Sequence, residues 1–153
     1  MHSIDLNCDL GESFGAYTIG LDETVTPHVT SVNIACGWHA GDPLVMERTV
    51  ALAKQCGVAI GAHPGFPDLL GFGRRELKVS PDEVYAYVKY QIGALYAFAR
   101  SHHMELQHMK AHGSLYNMAG KDIRLAEAMC RACRDFDSQL ILLALAGSKM
   151  EEA

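Results

Sequence analysis

The chain has 153 residues, 49% of them hydrophobic, and 13 Lys+Arg against 18 Asp+Glu give a formal charge of −5. That length suits one domain with a sizeable core, and the mild acidity argues against the basic stripe of a nucleic-acid binder. No apolar run reaches the ~18–20 residues that span a bilayer. The first residues lack a basic n-region and an apolar h-region, so no secretory signal is visible. Five cysteines at irregular spacing fit reduced cytoplasmic thiols better than a disulfide framework.

In chain order, Ser3–Cys8 reads as a strand, Asp22–Val29 as a short helix and Ser31–Cys36 as a second strand. A helix follows from about Pro43 to Cys56, with Asp42 as N-cap, Pro43 at its first position and Gly57 as its stop. Val58–Ala62 is a third strand. Ser80-Pro81-Asp82-Glu83 is a capping box, and Val84, Val88, Ile92, Leu95 and Ala99 recur behind it at helical spacing to about Ser101. Leu106–Ala111 is a fourth strand, Leu125, Met129 and Ala132 mark a further helix, and Leu140–Ala146 is a fifth strand. Strands alternating with helices predict an α/β fold built of right-handed βαβ units on a parallel sheet. The last strand is apolar on both faces, as in a buried parallel strand, yet only Lys149–Ala153 follow Ser148. The expectation is that this strand docks against something else or that the chain is a C-terminally truncated piece of a longer domain.

Alternate strand residues face opposite sides. Asp5, Asn7 and Asp9 share one face of the first strand opposite Ile4, Leu6 and Cys8, and Asn33 opposes Val32 and Ile34. Ala59, Gly61 and His63 oppose Val58 and Ile60, while His108, Lys110 and His112 share a face. Carboxylates, amides, imidazoles and a lysine on one face are costly unless paired or wet, so they predict a polar lumen rather than a solvated outer surface.

The segments after these strands agree. Asn7–Glu12, Ala35–Asp42, Gly61–Asp68 and Lys110–Asn117 each set a His or an acid beside glycine at a strand's C-terminal end. Four such loops at one sheet end predict an active site. Asp42 also serves as an ordinary N-cap, and His28, His102 and His103 read as surface residues. Cys130-Arg131-Ala132-Cys133 lies within a helix, away from a thiolate-stabilising N-terminus, and reads as structural. Gly71-Phe72-Gly73-Arg74-Arg75 can offer backbone amides and guanidinium groups to an anion. No Walker P-loop or GxGxxG fingerprint is present.

Taken together, Asp5–Glu12, Asn33–Asp42, Gly61–Gly65, Gly71–Arg75, Tyr90–Leu95 and Lys110–Met118 resemble the LamB/YcsF family, over essentially the whole chain. Trp38 stands where Phe is usual in that family and Ala111 where Pro is usual. The resemblance implies an incomplete TIM-like barrel of the glycoside hydrolase/deacetylase type, of which about the first five strands are present. It also implies the A component of an ATP-dependent enzyme that opens the 5-oxo-L-proline lactam to L-glutamate with separate B and C subunits.

Lactam opening needs cations for phosphates, groups that hold a small-molecule substrate and a base for water. The catalytic candidates are Asp9, Glu12, His39, His63, Lys110 and His112, and the substrate-binding candidates are Asn7, Asn33, Asp42, Arg74, Arg75 and Asn117. Lys110 with Arg74 and Arg75 would meet ATP, and Asp9 or Glu12 would hold its Mg²⁺ or act as base. An alternative is a metal-dependent, deacetylase-like hydrolase in which Asp9, His39 and His63 hold a divalent ion. A third reading is a non-catalytic protein that only binds ligand for its partners.

Overall fold

Five short strands carry the molecule: β1 (Asn7–Leu10), β2 (Ser31–Ala35), β3 (Ala59–His63), β4 (Leu106–Met109) and β5 (Ile141–Leu142). In the computed structural model, which describes residues 4–153, they form one parallel sheet in the order β1-β2-β3-β4-β5. The connections run through α1 (Asp22–Val25) with a 3₁₀ turn at Thr26–His28, α2 (Pro43–Cys56), α3 (Pro81–Ser101), α4 (Gly113–Ala119) and α5 (Ile123–Phe136), and α6 (Lys149–Glu152) follows β5. Each strand is followed by helix, the repeating unit of a (β/α) barrel. Among the described residues no helix is long and apolar enough to cross a membrane.

The helices begin where their capping chemistry requires. Asp42 accepts from the Leu44 and Val45 amides, and Gly57 ends α2 in the left-handed region at φ 68°. Ser80 and Glu83 close a reciprocal capping box on α3, with Pro81 at N1. Val84, Val88, Ile92, Leu95 and Ala99 of α3 are fully buried. They pack with Val32, Ile34, Ile60, Ala62 and Met109 of the strands and with Leu125, Met129 and Ala132 of α5 in one core. Full burial of each large side chain stabilises the fold by roughly 1.5–3 kcal/mol.

Several boundaries differ from the sequence reading. The first strand is Asn7–Leu10 rather than Ser3–Cys8, because β2 offers partners to Asn7 through Leu10. Ser3 lies outside the described residues, and Ile4 and Leu6 are 89% and 57% exposed rather than packed on an apolar face. The fifth strand is only Ile141–Leu142: β5 is a sheet edge with one neighbour, so its apolar run is not buried on both faces, and Ile141 is 51% exposed. Lys110–Asn117, read as a loop, turns into helix at Gly113. The Asp22–Val29 helix is broken into α1 and the 3₁₀ turn that carries Pro27 near its start. Cys133 is buried in α5 and burial pushes its thiol up to about 12, in keeping with a packing role for the CxxC pair.

Candidate active site

The polar side of the sheet is knitted across the strands. Asp9, Asn33, Gly61 and His108 form one row from β1 to β4. Asn33 is fully buried. Its Nδ2 donates to Asp9 Oδ1 at 2.7 Å and to Asn7 Oδ1 at 2.5 Å, while its Oδ1 faces His108 Nε2 at 2.6 Å. Burial lowers His108 to about 4 against the pull of Asp5, so the ring is neutral at pH 7 and its Nε2–H donates to Asn33. Gly61 makes that reach possible: a Cβ there would overlap the His108 ring.

Asp9 divides its two oxygens between tasks. Oδ1 accepts from Lys110 Nζ at 2.8 Å as well as from Asn33, whereas Oδ2 lies 3.5 Å from His63 Nε2. Burial pushes the Asp9 carboxyl up, but His63, Lys110 and Asn33 outweigh it and hold the group below its ordinary value. The carboxylate is therefore ionised near neutrality, with one oxygen open to the site.

Above this row, at the C-terminal strand ends, three imidazoles and a carboxylate meet. His63 ends β3, His112 precedes α4, and His39 and Glu12 come from the segments after β2 and β1. The His39 and His112 rings stack at 3.7 Å with an interplanar angle of 2°. His63 Nδ1 donates to the Lys110 carbonyl at 2.7 Å, and His112 Nε2 donates to the Phe72 carbonyl at 2.8 Å. Burial lowers His63 to about 3 and His112 to about 4, with the neighbouring imidazoles adding to both. One potential ligand atom from each of Glu12, His39, His63 and His112 lies within 4.8 Å of the others. Asp9, expected to ligate with His39 and His63, is not one of these four: Lys110 and Asn33 hold its Oδ1, and its Oδ2 faces His63 Nε2 at 3.5 Å from the edge of the cluster.

The Gly71–Arg75 segment shapes the pocket for this stack. Phe72 adopts φ 54°, a left-handed conformation that is strained for a bulky residue, and thereby turns its carbonyl to His112. At Gly73, φ 62°, a Cβ would lie 2.8 Å from His39 Cβ and 3.0 Å from His112 Cδ2. On the far side, Gln91 of α3 accepts from Gly65 N at 3.0 Å and donates to Gly65 O at 2.9 Å, which holds the turn after β3 against the His39 ring.

Not every expected residue reaches this centre. Both Asp42 oxygens are spent, on the α2 cap and on Gly15 N. The Arg75 guanidinium pairs with the buried Asp68, whose carboxyl it holds down at about 2. Arg74 rests over the Phe72 ring at 5.6 Å, beside the site, and Asn117 is exposed on α4. Asn7 donates to Ser31 Oγ at 2.8 Å and braces Asn33. Sequence reasoning places His108 on the polar face without making it a catalytic or binding candidate, and does not single out Gln91 or Phe72. A glutamine in the middle of an otherwise apolar helix stripe is the available signal for Gln91; Phe72 has none.

Parallel β/α units in sequence, with acids, imidazoles and a lysine gathered at the strand ends, place the molecule among barrel-type α/β proteins. The chain belongs to the LamB/YcsF family, which it matches over residues 4–153. It is 61% identical over 153 residues to the 5-oxoprolinase A subunit of Clostridium beijerinckii, covering 100% of this chain and 60% of that protein. It is 59% identical over 149 residues to the 5-oxoprolinase A subunit of Pyrococcus abyssi, covering 97% of this chain and 58% of that one. The crystal structure of the lactam utilization protein from Thermus thermophilus superposes with a TM-score of 0.98 at 52% identity, over 99% of this chain and 61% of that one. The chain thus spans about three fifths of the length of the curated relatives it matches.

Proposed function

We propose that this chain is the larger part of the A component of an ATP-dependent 5-oxoprolinase, a single (β/α) barrel domain that acts with B and C subunits to open 5-oxo-L-proline to L-glutamate. One observation carries the reading: a chain 61% identical to a protein named as the A component of 5-oxoprolinase gathers Asp9, Lys110 and the imidazoles at one set of strand ends.

A five-membered lactam is a resonance-stabilised amide, and water attacks it slowly. Lys110, its ammonium anchored by Asp9, donates to the ring carbonyl oxygen and stabilises the negative charge that develops there. Asp9 Oδ2 takes a proton from the attacking water as the new C–O bond forms at the ring carbon. The C–N bond then breaks as the ring nitrogen takes that proton, leaving an amine and a carboxylic acid, which keeps the second proton of the water. The acid then passes its proton to the amine to give the carboxylate and ammonium of glutamate. Asn33 and His108 act beneath Asp9 as positioning residues. Asn7 braces Asn33 in the same supporting way. Asp42 instead fixes the start of α2 and the Gly15 turn, and Arg74 at the rim is suited to the substrate carboxylate.

The cations expected at ATP phosphates do not form a cradle. Lys110 is held by Asp9 and Arg75 by Asp68, and of the three only Arg74 lacks an acidic partner among the described residues. ATP dependence in this reading therefore belongs to the assembled enzyme, and no step through the nucleotide or its Mg²⁺ is built on these residues.

The test is co-expression of the intact protein with its B and C partners, followed by an assay for glutamate. Release that requires both ATP and 5-oxoproline supports the reading. Hydrolysis of acyl amides without ATP, with no glutamate from 5-oxoproline, overturns it in favour of a deacetylase-like enzyme.

A further inference from the structure

We infer that Glu12, His39, His63 and His112 form a binding site for one divalent transition-metal cation, with zinc the best match. The argument rests on proton counting. A carbonyl oxygen can only accept, so His63 must carry its proton on Nδ1, facing Lys110 O, and His112 must carry its proton on Nε2, facing Phe72 O. A neutral imidazole has a single N–H. The remaining nitrogens, His63 Nε2 and His112 Nδ1, therefore point bare lone pairs at each other across 3.0 Å. Two buried lone pairs at that separation repel unless a positive charge lies between or beside them.

The surrounding distances select a cation over a shared proton. His39 Nε2 lies 3.4 Å from Glu12 Oε1, and the same oxygen lies 3.6 Å from His112 Nδ1. These gaps are at or beyond the long limit of a hydrogen bond. They suit the edges of a tetrahedron, which measure about 3.3 Å for bonds of ~2.0–2.1 Å to zinc. A proton can satisfy one pair of these atoms; a central cation satisfies all four. His39 spends neither nitrogen on another hydrogen bond, since Nδ1 has no partner and the ring is fully buried.

The outer contacts have the form expected around a metal. Two of the three imidazoles donate their one N–H to a main-chain carbonyl, which fixes tautomer and ring direction and leaves the other nitrogen free to ligate. Gly65 and Gly73 leave room for the His39 ring where any Cβ would collide. Three nitrogens and one carboxylate are a borderline-soft donor set, suited to zinc or its first-row neighbours and poorly suited to Mg²⁺, which prefers oxygen and retains its waters. Asp9 Oδ2 and Lys110 lie beside this position, so a bound cation would share the pocket with the residues assigned above to the lactam.

The site does not depend on the lactam reading, because cation binding is measured without substrate. The intact protein is stripped with a chelator and titrated with Co²⁺ and then Zn²⁺. Metal content is determined by elemental analysis, and circular dichroism monitors the fold. The expected result is one ion per chain, visible absorption bands of tetrahedral cobalt, displacement by Zn²⁺ but not by Mg²⁺, and at least about 100-fold weaker binding in His39→Ala/His112→Ala. Glu12→Gln, which preserves shape, should weaken binding and alter the cobalt spectrum even if the double variant fails to fold. Natively folded wild-type protein that binds neither ion, or binds both as tightly after Glu12→Gln with an unchanged spectrum, overturns the site and identifies the cluster as a shared-proton network.

Discussion

His108 of β4 reaches Asn33 of β2, 75 residues away in sequence, with 2.6 Å between Nε2 and Oδ1, although β3 runs between the two strands. Gly61 is the β3 residue in between, and its missing side chain is the opening through which the imidazole passes. The contact matters because Asn33 in turn holds Asp9. A glycine on one strand thus permits a histidine on a second to orient an amide on a third, and that amide orients a carboxylate on a fourth.

Gly61→Ala should therefore be costly despite the small change. Its Cβ would overlap the His108 ring, and overpacking of this kind costs about 1–3 kcal/mol. A lowered urea midpoint is expected, and a midpoint equal to wild type would show that His108 has another place to go.

Asn33→Ala removes the donor to Asp9 and leaves the buried His108 ring and the half-buried Asn7 amide without their partner. Each buried polar group left unsatisfied costs about 1–3 kcal/mol, so a loss of about 2–4 kcal/mol is expected in chemical denaturation. Glutamate release should fall in parallel.

Lys110→Ala should separate activity from stability. The Lys110 and Asp9 side chains are 29% and 37% exposed, and partly solvated pairs contribute about 0–1 kcal/mol. The Lys110 carbonyl that receives His63 is main chain and survives the change. Loss of one charge-stabilising donor lowers kcat by about 10²–10³-fold. A near-native Tm with that kinetic loss is the expected pair of results; unfolding, or near-full activity, would make the lysine structural or peripheral.

Acid sensitivity should carry a His108 component. Burial lowers this group from 6.5 to about 4, with Asp5 opposing and Lys110 adding to the shift. Between those values the unfolded chain takes up a proton that the folded chain refuses, so stability is fully present above about pH 6.5 and declines as pH falls toward 4. Urea midpoints from pH 7 to 4 should fall less steeply for His108→Gln than for wild type. Equal slopes would mean that His108 is charged in the folded state.

The two sheet edges should make the 153-residue chain self-associate. Ile141 is 51% and Leu145 48% exposed near β5, and Ile4 and Leu6 are bare beside β1. Open strand edges with apolar side chains pair with other chains. Sedimentation should show concentration-dependent association, and a concentration-independent monomer with a sharp melt would contradict it.

Local chemistry, which the sequence carries directly, determined much of this molecule. The capping box at Ser80–Glu83 and the Asp42-Pro43 start with its Gly57 stop are satisfied within a few residues, so α2 and α3 are legible from spacing alone. The alternation of Asn7 and Asp9 with Cys8 and Leu10, and the histidines and acids after β1 to β4, point to one polar sheet end in the same way. What tertiary structure alone decided is which long-range partners meet. Arg75 is captured by Asp68 rather than left for an anion, and Asn33 is saturated from beneath. Asp9 joins Lys110 while Glu12 joins the imidazoles, because the register between strands fixes which carboxylate stands opposite which cation. The fifth strand ended early for the same physical reason: a strand extends as far as its neighbours offer hydrogen bonds and cover, and neither is encoded in its own residues.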